Sequence, residues 1–97
     1  MANDSKLNDA QVQETLKTLP GWELTAGEIT KLYKFDGFKQ AIVFVNRVAG
    51  LAEAADHHPD ILIRYSRVTL TLSTHSAGGL TEKDFSLARG IDAGRNG

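Results

Sequence analysis

Ninety-seven residues of 10.5 kDa suffice for a single domain over residues 1–97, since a second core would need roughly another hundred residues. Hydrophobic residues at 41% and charged residues at 24% exclude a disordered chain, and a net charge of −1 leaves no basic surplus to announce nucleic acid. The absence of cysteine excludes disulfides, thiol catalysis and Cys-ligated zinc; the longest apolar run, Ala41–Val45, is far too short for a membrane span of roughly 20 residues.

The opening residues are polar and lack the apolar stretch of a secretory signal, which together with the missing cysteines predicts a cytoplasmic protein. Asn8 and Gln11 pair as an N-cap and capping-box partner, and Val12, Leu16 and Leu19 follow at helical spacing until Pro20-Gly21 stops that helix. Trp22–Thr25 and Ile29–Phe35 read as a hairpin around Ala26-Gly27-Glu28, with Ile29, Tyr33 and Phe35 on one face. The long helix runs from Phe38 to about Asp56, with Asp36 as its N-cap. Its stripe of Phe38, Ala41, Ile42, Val45, Val48, Ala49 and Ala52 overlaps a second seam through Phe44 and Leu51. Such a width exceeds the arc of about 100° that one sheet contact uses, and predicts a second partner, either another helix of the chain or a neighbouring subunit.

Two strands follow, Asp60–Tyr65 and Arg67–Ser73, around a tight turn at Ser66; Val68, Leu70 and Leu72 alternate with polar residues, so one face is buried. Thr81 and Asp84 make a T-x-x-D capping box for the last helix, with Leu80 and Phe85 as its hydrophobic staple. The order α-β-β-α-β-β-α predicts an α+β fold, a four-stranded mainly antiparallel sheet with three helices packed on one face.

All three histidines, His57, His58 and His75, fall in one stretch of nineteen residues. The first two end the long helix before Pro59, and the third follows the last strand; in an antiparallel sandwich these loops can meet at one end of the sheet. Three groups that titrate near neutral pH would there serve general acid–base chemistry. The plainer alternatives are a His pair that favours the negative end of a helix dipole and a solvated turn residue. Metal binding by these histidines with Asp56, Asp60 or Asp84 is disfavoured: neighbouring side chains diverge, and neither H-x-H nor H-x-x-x-H occurs, so no metal is expected. Asp84 either caps its helix or approaches His75, and Glu53 shares a helical face with His57. Ser73, Thr74 and Ser76 around His75 suggest a nucleophile–base pair only weakly, because adjacent residues of an extended segment rarely face each other. Ala77-Gly78-Gly79-Leu80 is either an anion cradle or a flexible entry turn, and Trp22 and Tyr65 are either core or rim aromatics or flank a flat ligand.

Glu53-x-x-x-His57-His58-Pro59, then Tyr65, His75 and Asp84 resemble the signature of the pterin-4a-carbinolamine dehydratases. The likeness extends over nearly the whole chain, including Pro20-Gly21-Trp22, Phe35-x-x-Phe38, Leu72-Ser73-Thr74-His75 and Gly79-Leu80-Thr81. The one departure is Ser76, where many relatives carry an acidic residue. The resemblance implies elimination of water from a 4a-hydroxytetrahydropterin to give a quinonoid dihydropterin, without redox cofactor or metal. It implies His57 and His75 as the acid/base pair, joined by His58, which helps to bind and orient the pterin. His57, His58, Pro59, Thr74, His75, Ser76 and Ala77 would line the substrate pocket, and Asp84 and Glu53 would support it. It further implies a homodimer or homotetramer and a functional link to an aromatic amino-acid hydroxylase in tetrahydrobiopterin recycling. The alternative is a non-enzymatic interaction module, a dimerisation cofactor of a transcription factor on the same fold; a role in molybdopterin metabolism is the third reading.

Overall fold

The computed structural model describes residues 5–94, so the ends of the 1–97 span lie outside it. In chain order it contains α1 (Asp9–Leu16), β1 (Glu23–Thr25), β2 (Glu28–Lys34), α2 (Phe38–Ala55), β3 (Asp60–Arg64), β4 (Arg67–Leu72), a 3₁₀ turn at His75–Ala77, and α3 (Glu82–Ala93). This is the predicted α-β-β-α-β-β-α order. The sheet is antiparallel throughout, in the order β1-β2-β4-β3, with the helices on one face.

Local signals account for most boundaries. Both predicted capping boxes form: Asn8 with Gln11 starts α1, and Thr81 with Asp84 starts α3. Ala26 and Gly27, at φ 52° and 80°, make a two-residue turn that pairs Thr25 with Glu28, so β2 begins one residue before the expected Ile29. Asp36 is not the cap of α2. The Phe35 N–H still donates to the Ser66 carbonyl (2.9 Å), which holds the chain on the sheet one residue past β2. Gly37, with extended geometry and no side-chain cap, is left to start the helix.

The β2–β4 register, with Ile29 opposite Leu72 and Tyr33 opposite Val68, puts these four on the covered face with Leu70. Ala41, Phe44 and Val48 of α2 and Phe85, Ala88 and Ile91 of α3 close over them; each large apolar side chain buried there is worth about 1.5–3 kcal/mol. From the wide stripe of α2 the core takes Ala41, Val48 and Ala52, and from the second seam Phe44, while Phe38 stays 52% exposed. The partner helix within the chain is α3: the Arg47 guanidinium donates to the carbonyls of Gly90 (2.9 Å) and Ile91 (3.0 Å).

Asp92, near the end of α3, ties that helix to the first hairpin. Its carboxylate accepts from Trp22 Nε1 (2.9 Å), the Tyr33 hydroxyl (2.6 Å) and Lys31 Nζ (3.1 Å). Trp22 is therefore a core aromatic. Asp92→Ala removes the acceptor that Trp22 Nε1, the Tyr33 hydroxyl and Lys31 share, which costs about 2 kcal/mol. A Tm lower by about 8–16 °C is the expected result in thermal circular dichroism.

Candidate active site

The end of α2 is built by its own backbone. Asp56 adopts φ 51° and ψ 43°, its N–H reaches the Glu53 carbonyl, and the His57 N–H reaches back to the Ala52 carbonyl (3.1 Å). This pair of bonds is a Schellman ending with Asp in the left-handed position usually held by Gly. It turns His57 out of helical register, so Glu53 and His57 do not stack as an i, i+4 pair. Glu53 instead meets His58, Nε2 to Oε2 at 2.6 Å, with both side chains more than half exposed. Such a surface pair contributes at most about 1 kcal/mol.

The His75 turn is equally self-contained. Thr74 and Gly79 exchange backbone hydrogen bonds, Ala77 N–H donates to the Thr74 carbonyl and Gly78 N–H to that of His75, and Gly78 closes the turn at φ 76°. With these N–H groups engaged, Ala77-Gly78-Gly79 is an entry turn to α3 and not an anion cradle. Ser73 donates to Glu28 (3.1 Å) and Thr74 to Asp84 (2.8 Å), so neither hydroxyl is paired with His75 as a nucleophile.

The two loops meet because of the β3–β4 register. Asp60 pairs with Thr71, so the entrance of β3, just after His57-His58-Pro59, lies beside the exit of β4, just before His75. His57, His58 and His75 line one open cleft of about 280 Å³, shared with Asp56, Ser73, Thr74, Ser76 and Lys83. Pro59 and Ala77 flank this cleft without lining it. Lys83 escaped the sequence reading; the only available signal was its place one residue before Asp84 in the first turn of α3. A larger depression of about 800 Å³ at the far β3–β4 turn is walled by Ile63, Arg64, Tyr65, Ser66 and Arg67. It brings no histidine or carboxylate, and Tyr65, 70% exposed, lies at the opposite end of the sheet from the histidine cleft.

Asp84 is completely buried and meets His57, not His75. Its Oδ2 accepts from the Thr81 N–H (3.0 Å) and the Thr74 hydroxyl (2.8 Å), while Oδ1 lies 2.6 Å from His57 Nε2. A carboxylate that already accepts two bonds on one oxygen is completed by a third donor, which assigns the His57 proton to Nε2. Nδ1 is then the ring nitrogen left to exchange a proton. The His57 side chain is only 11% exposed, whereas His75 is exposed and its imidazole makes no hydrogen bond among the described residues. One imidazole is thus held through Nε2 by a buried carboxylate, and the other is exposed at the cleft. Among the described residues no three His, Asp or Glu side chains group as a metal-binding set.

The sequence pattern of the family described as pterin 4 alpha carbinolamine dehydratase matches residues 5–94. The chain belongs to this family. Its relatives include proteins named "Putative pterin-4-alpha-carbinolamine dehydratase" from Roseiflexus castenholzii, 58% identical over 89% of this chain and 92% of that one, and from Thermomicrobium roseum, 53% identical over 88% and 91%. Among solved structures, a transcriptional coactivator/pterin dehydratase from Brucella melitensis superposes with a TM-score of 0.88 at 38% identity, covering 92% of this chain and 97% of that one. A pterin dehydratase-like protein identified as a RuBisCO assembly factor in the alpha-carboxysome has a TM-score of 0.61 at 25% identity, covering 74% and 83%. These two solved structures are thus named for coactivation and for assembly as well as for their likeness to a pterin dehydratase.

Proposed function

We propose that this member of the pterin dehydratase family is a 4a-hydroxytetrahydrobiopterin dehydratase that recycles pterin for an aromatic amino-acid hydroxylase in the cytoplasm. The observation that carries this reading is the shared cleft of His57 and His75, with the His57 ring held through Nε2 by buried Asp84. The reaction breaks the C4a–O bond. A proton is added to the leaving oxygen, the electron pair of a ring nitrogen closes a C=N bond, and that nitrogen loses its own proton, so water departs without any redox change. Two imidazoles on one flat substrate supply this exchange: His57 Nδ1 and the His75 ring are the acid/base pair, and His58 orients the pterin. The imidazolium that donates ends neutral and the neutral imidazole that accepts ends protonated, so the pair keeps its total proton count and exchange with solvent resets the two roles between turnovers. The test is the ultraviolet signal of quinonoid dihydropterin formed from a 4a-carbinolamine by the purified chain with a chelator present. Accelerated formation under chelator is expected, and a rate equal to the uncatalysed one overturns the reading.

Homo-oligomerisation is the accompanying proposal, and the free edge of the sheet supports it. In β3, Ile61, Leu62 and Ile63 are 36%, 56% and 37% exposed, an apolar edge of the kind that pairs with another strand. The segment Asp-Ile-Leu-Ile-Arg is complementary to itself: in an antiparallel pairing centred on Leu62, Asp60 of one copy faces Arg64 of the partner subunit. Light scattering at micromolar concentration is expected to give a multiple of 10.5 kDa, and Leu62→Lys to return the monomer; a wild-type monomer overturns the proposal.

The same edge favours the second reading, an interaction module such as a dimerisation cofactor of a transcription factor. A chain that oligomerises but leaves the carbinolamine untouched would decide for it.

A further inference from the structure

The geometry points to Thr74 as a positioning residue whose hydroxyl couples the His75 turn to the carboxylate that holds His57. Thr74 is 4% exposed and immediately precedes His75. Its backbone closes that turn, with its N–H on the Gly79 carbonyl (3.0 Å) and its carbonyl accepting from Ala77 (3.0 Å) and Gly79 (3.3 Å). Its side-chain hydroxyl donates to Asp84 Oδ2 at 2.8 Å.

Proton counting fixes the direction of this link. A hydroxyl has one proton, and that of Thr74 goes to Asp84. The 2.8 Å contact between the Thr74 and Thr81 hydroxyls must then use the proton of Thr81, whose oxygen in turn accepts from the Lys83 N–H (3.2 Å). The chain of donors runs from α3 through Thr81 and Thr74 into Asp84, and Asp84 meets His57 Nε2 with its other oxygen. The Thr74 hydroxyl is thus committed inside the protein and has no proton to offer a ligand in the cleft. One residue sets the placement of both imidazoles: His75 through its backbone and His57 through its side chain.

The kinetic consequence rests on the dehydratase reading, and the spectroscopic one does not. Nitrogen-15 and proton spectra of the full ligand-free chain are expected to show a slowly exchanging His57 Nε2 proton in the wild type and in Thr74→Ser, and its loss in Thr74→Val. In the carbinolamine assay Thr74→Val is expected to lower kcat on the order of 10²-fold with KM little changed, as misplaced reacting groups do, and Thr74→Ser to restore it. A retained His57 proton together with wild-type kcat in Thr74→Val overturns the inference. Should that variant not fold, the wild type decides: a Thr74 hydroxyl proton that exchanges freely with water overturns the inference, and a protected one supports it. If no form of the chain dehydrates the pterin, the functional reading fails while the spectra still judge Thr74.

Discussion

His57→Ala is expected to reduce carbinolamine dehydration by about 10²–10⁴-fold, the usual worth of a positioned general acid or base. The loss should fall on kcat, because in the proposed reaction the ring exchanges its proton at Nδ1, its other nitrogen being held at Asp84. The fold should survive. The vacated space opens onto the cleft, so water can take over the bond to Asp84 Oδ1, and the stability cost stays near about 1 kcal/mol. His75→Ala should approach the same kinetic loss with less effect on stability, since that imidazole makes no hydrogen bond among the described residues. His58→Ala should be milder in rate, because its Glu53 pair is a solvated contact. Steady-state rates beside thermal melts of all three variants check this order, and a His57→Ala enzyme with wild-type kcat would refute the assignment.

Asp84→Ala is expected to be the most damaging single change to stability. The carboxylate has no exposed surface, and its removal strands the Thr81 N–H, the Thr74 hydroxyl and the His57 Nε2 proton at once. It also deletes half of the capping box of α3. Buried donors without partners cost about 1–3 kcal/mol each, and partial rescue by water leaves a loss of about 3 kcal/mol or more. For a chain of this length that corresponds to a Tm lower by about 12–24 °C. Asp84→Asn keeps the volume and one acceptor but turns an N–H₂ group toward groups that are themselves donors, so it should lie between wild type and Ala. Equal melts for Asp84→Ala and wild type would mean that the network has no energetic weight.

These two variants also separate the roles of neighbouring side chains. A helix cap contributes to stability alone, whereas a carboxylate that orients an imidazole contributes to stability and rate together. Asp84 is placed for both with different oxygens: Oδ2 accepts from the Thr81 N–H and the Thr74 hydroxyl, and Oδ1 lies on His57 Nε2.

Much of this architecture was legible from local chemistry. Capping boxes at Asn8 and Thr81 and the alternation of Val68, Leu70 and Leu72 depend on neighbours within a few residues, and each appears where expected, whereas α1 ends at Leu16 with Lys17 as its C-cap, short of the expected stop at Pro20-Gly21. The errors were local as well. Asp36 has the chemistry of a cap, yet with Phe35 still bonded to Ser66 on the sheet the N-cap is Gly37, while α2 begins at Phe38 as expected. Glu53 and His57 have helical spacing, but the left-handed Asp56 ends the helix between them and hands Glu53 to His58.

By itself the sequence determined that histidine occurs at only three positions, and it placed these at the end of a helix and past the end of a strand. Tertiary structure alone decided that these ends adjoin, because strand register is set by pairings between segments that share no local signal: Asp60 opposite Thr71 brings both loops to one edge. It also decided which histidine Asp84 serves. Twenty-seven residues separate Asp84 from His57 and only nine from His75, yet burial on α3 aims the carboxylate at the more distant partner. Distance along the chain limits what can be inferred from it, whereas distance through space governs where a proton can go.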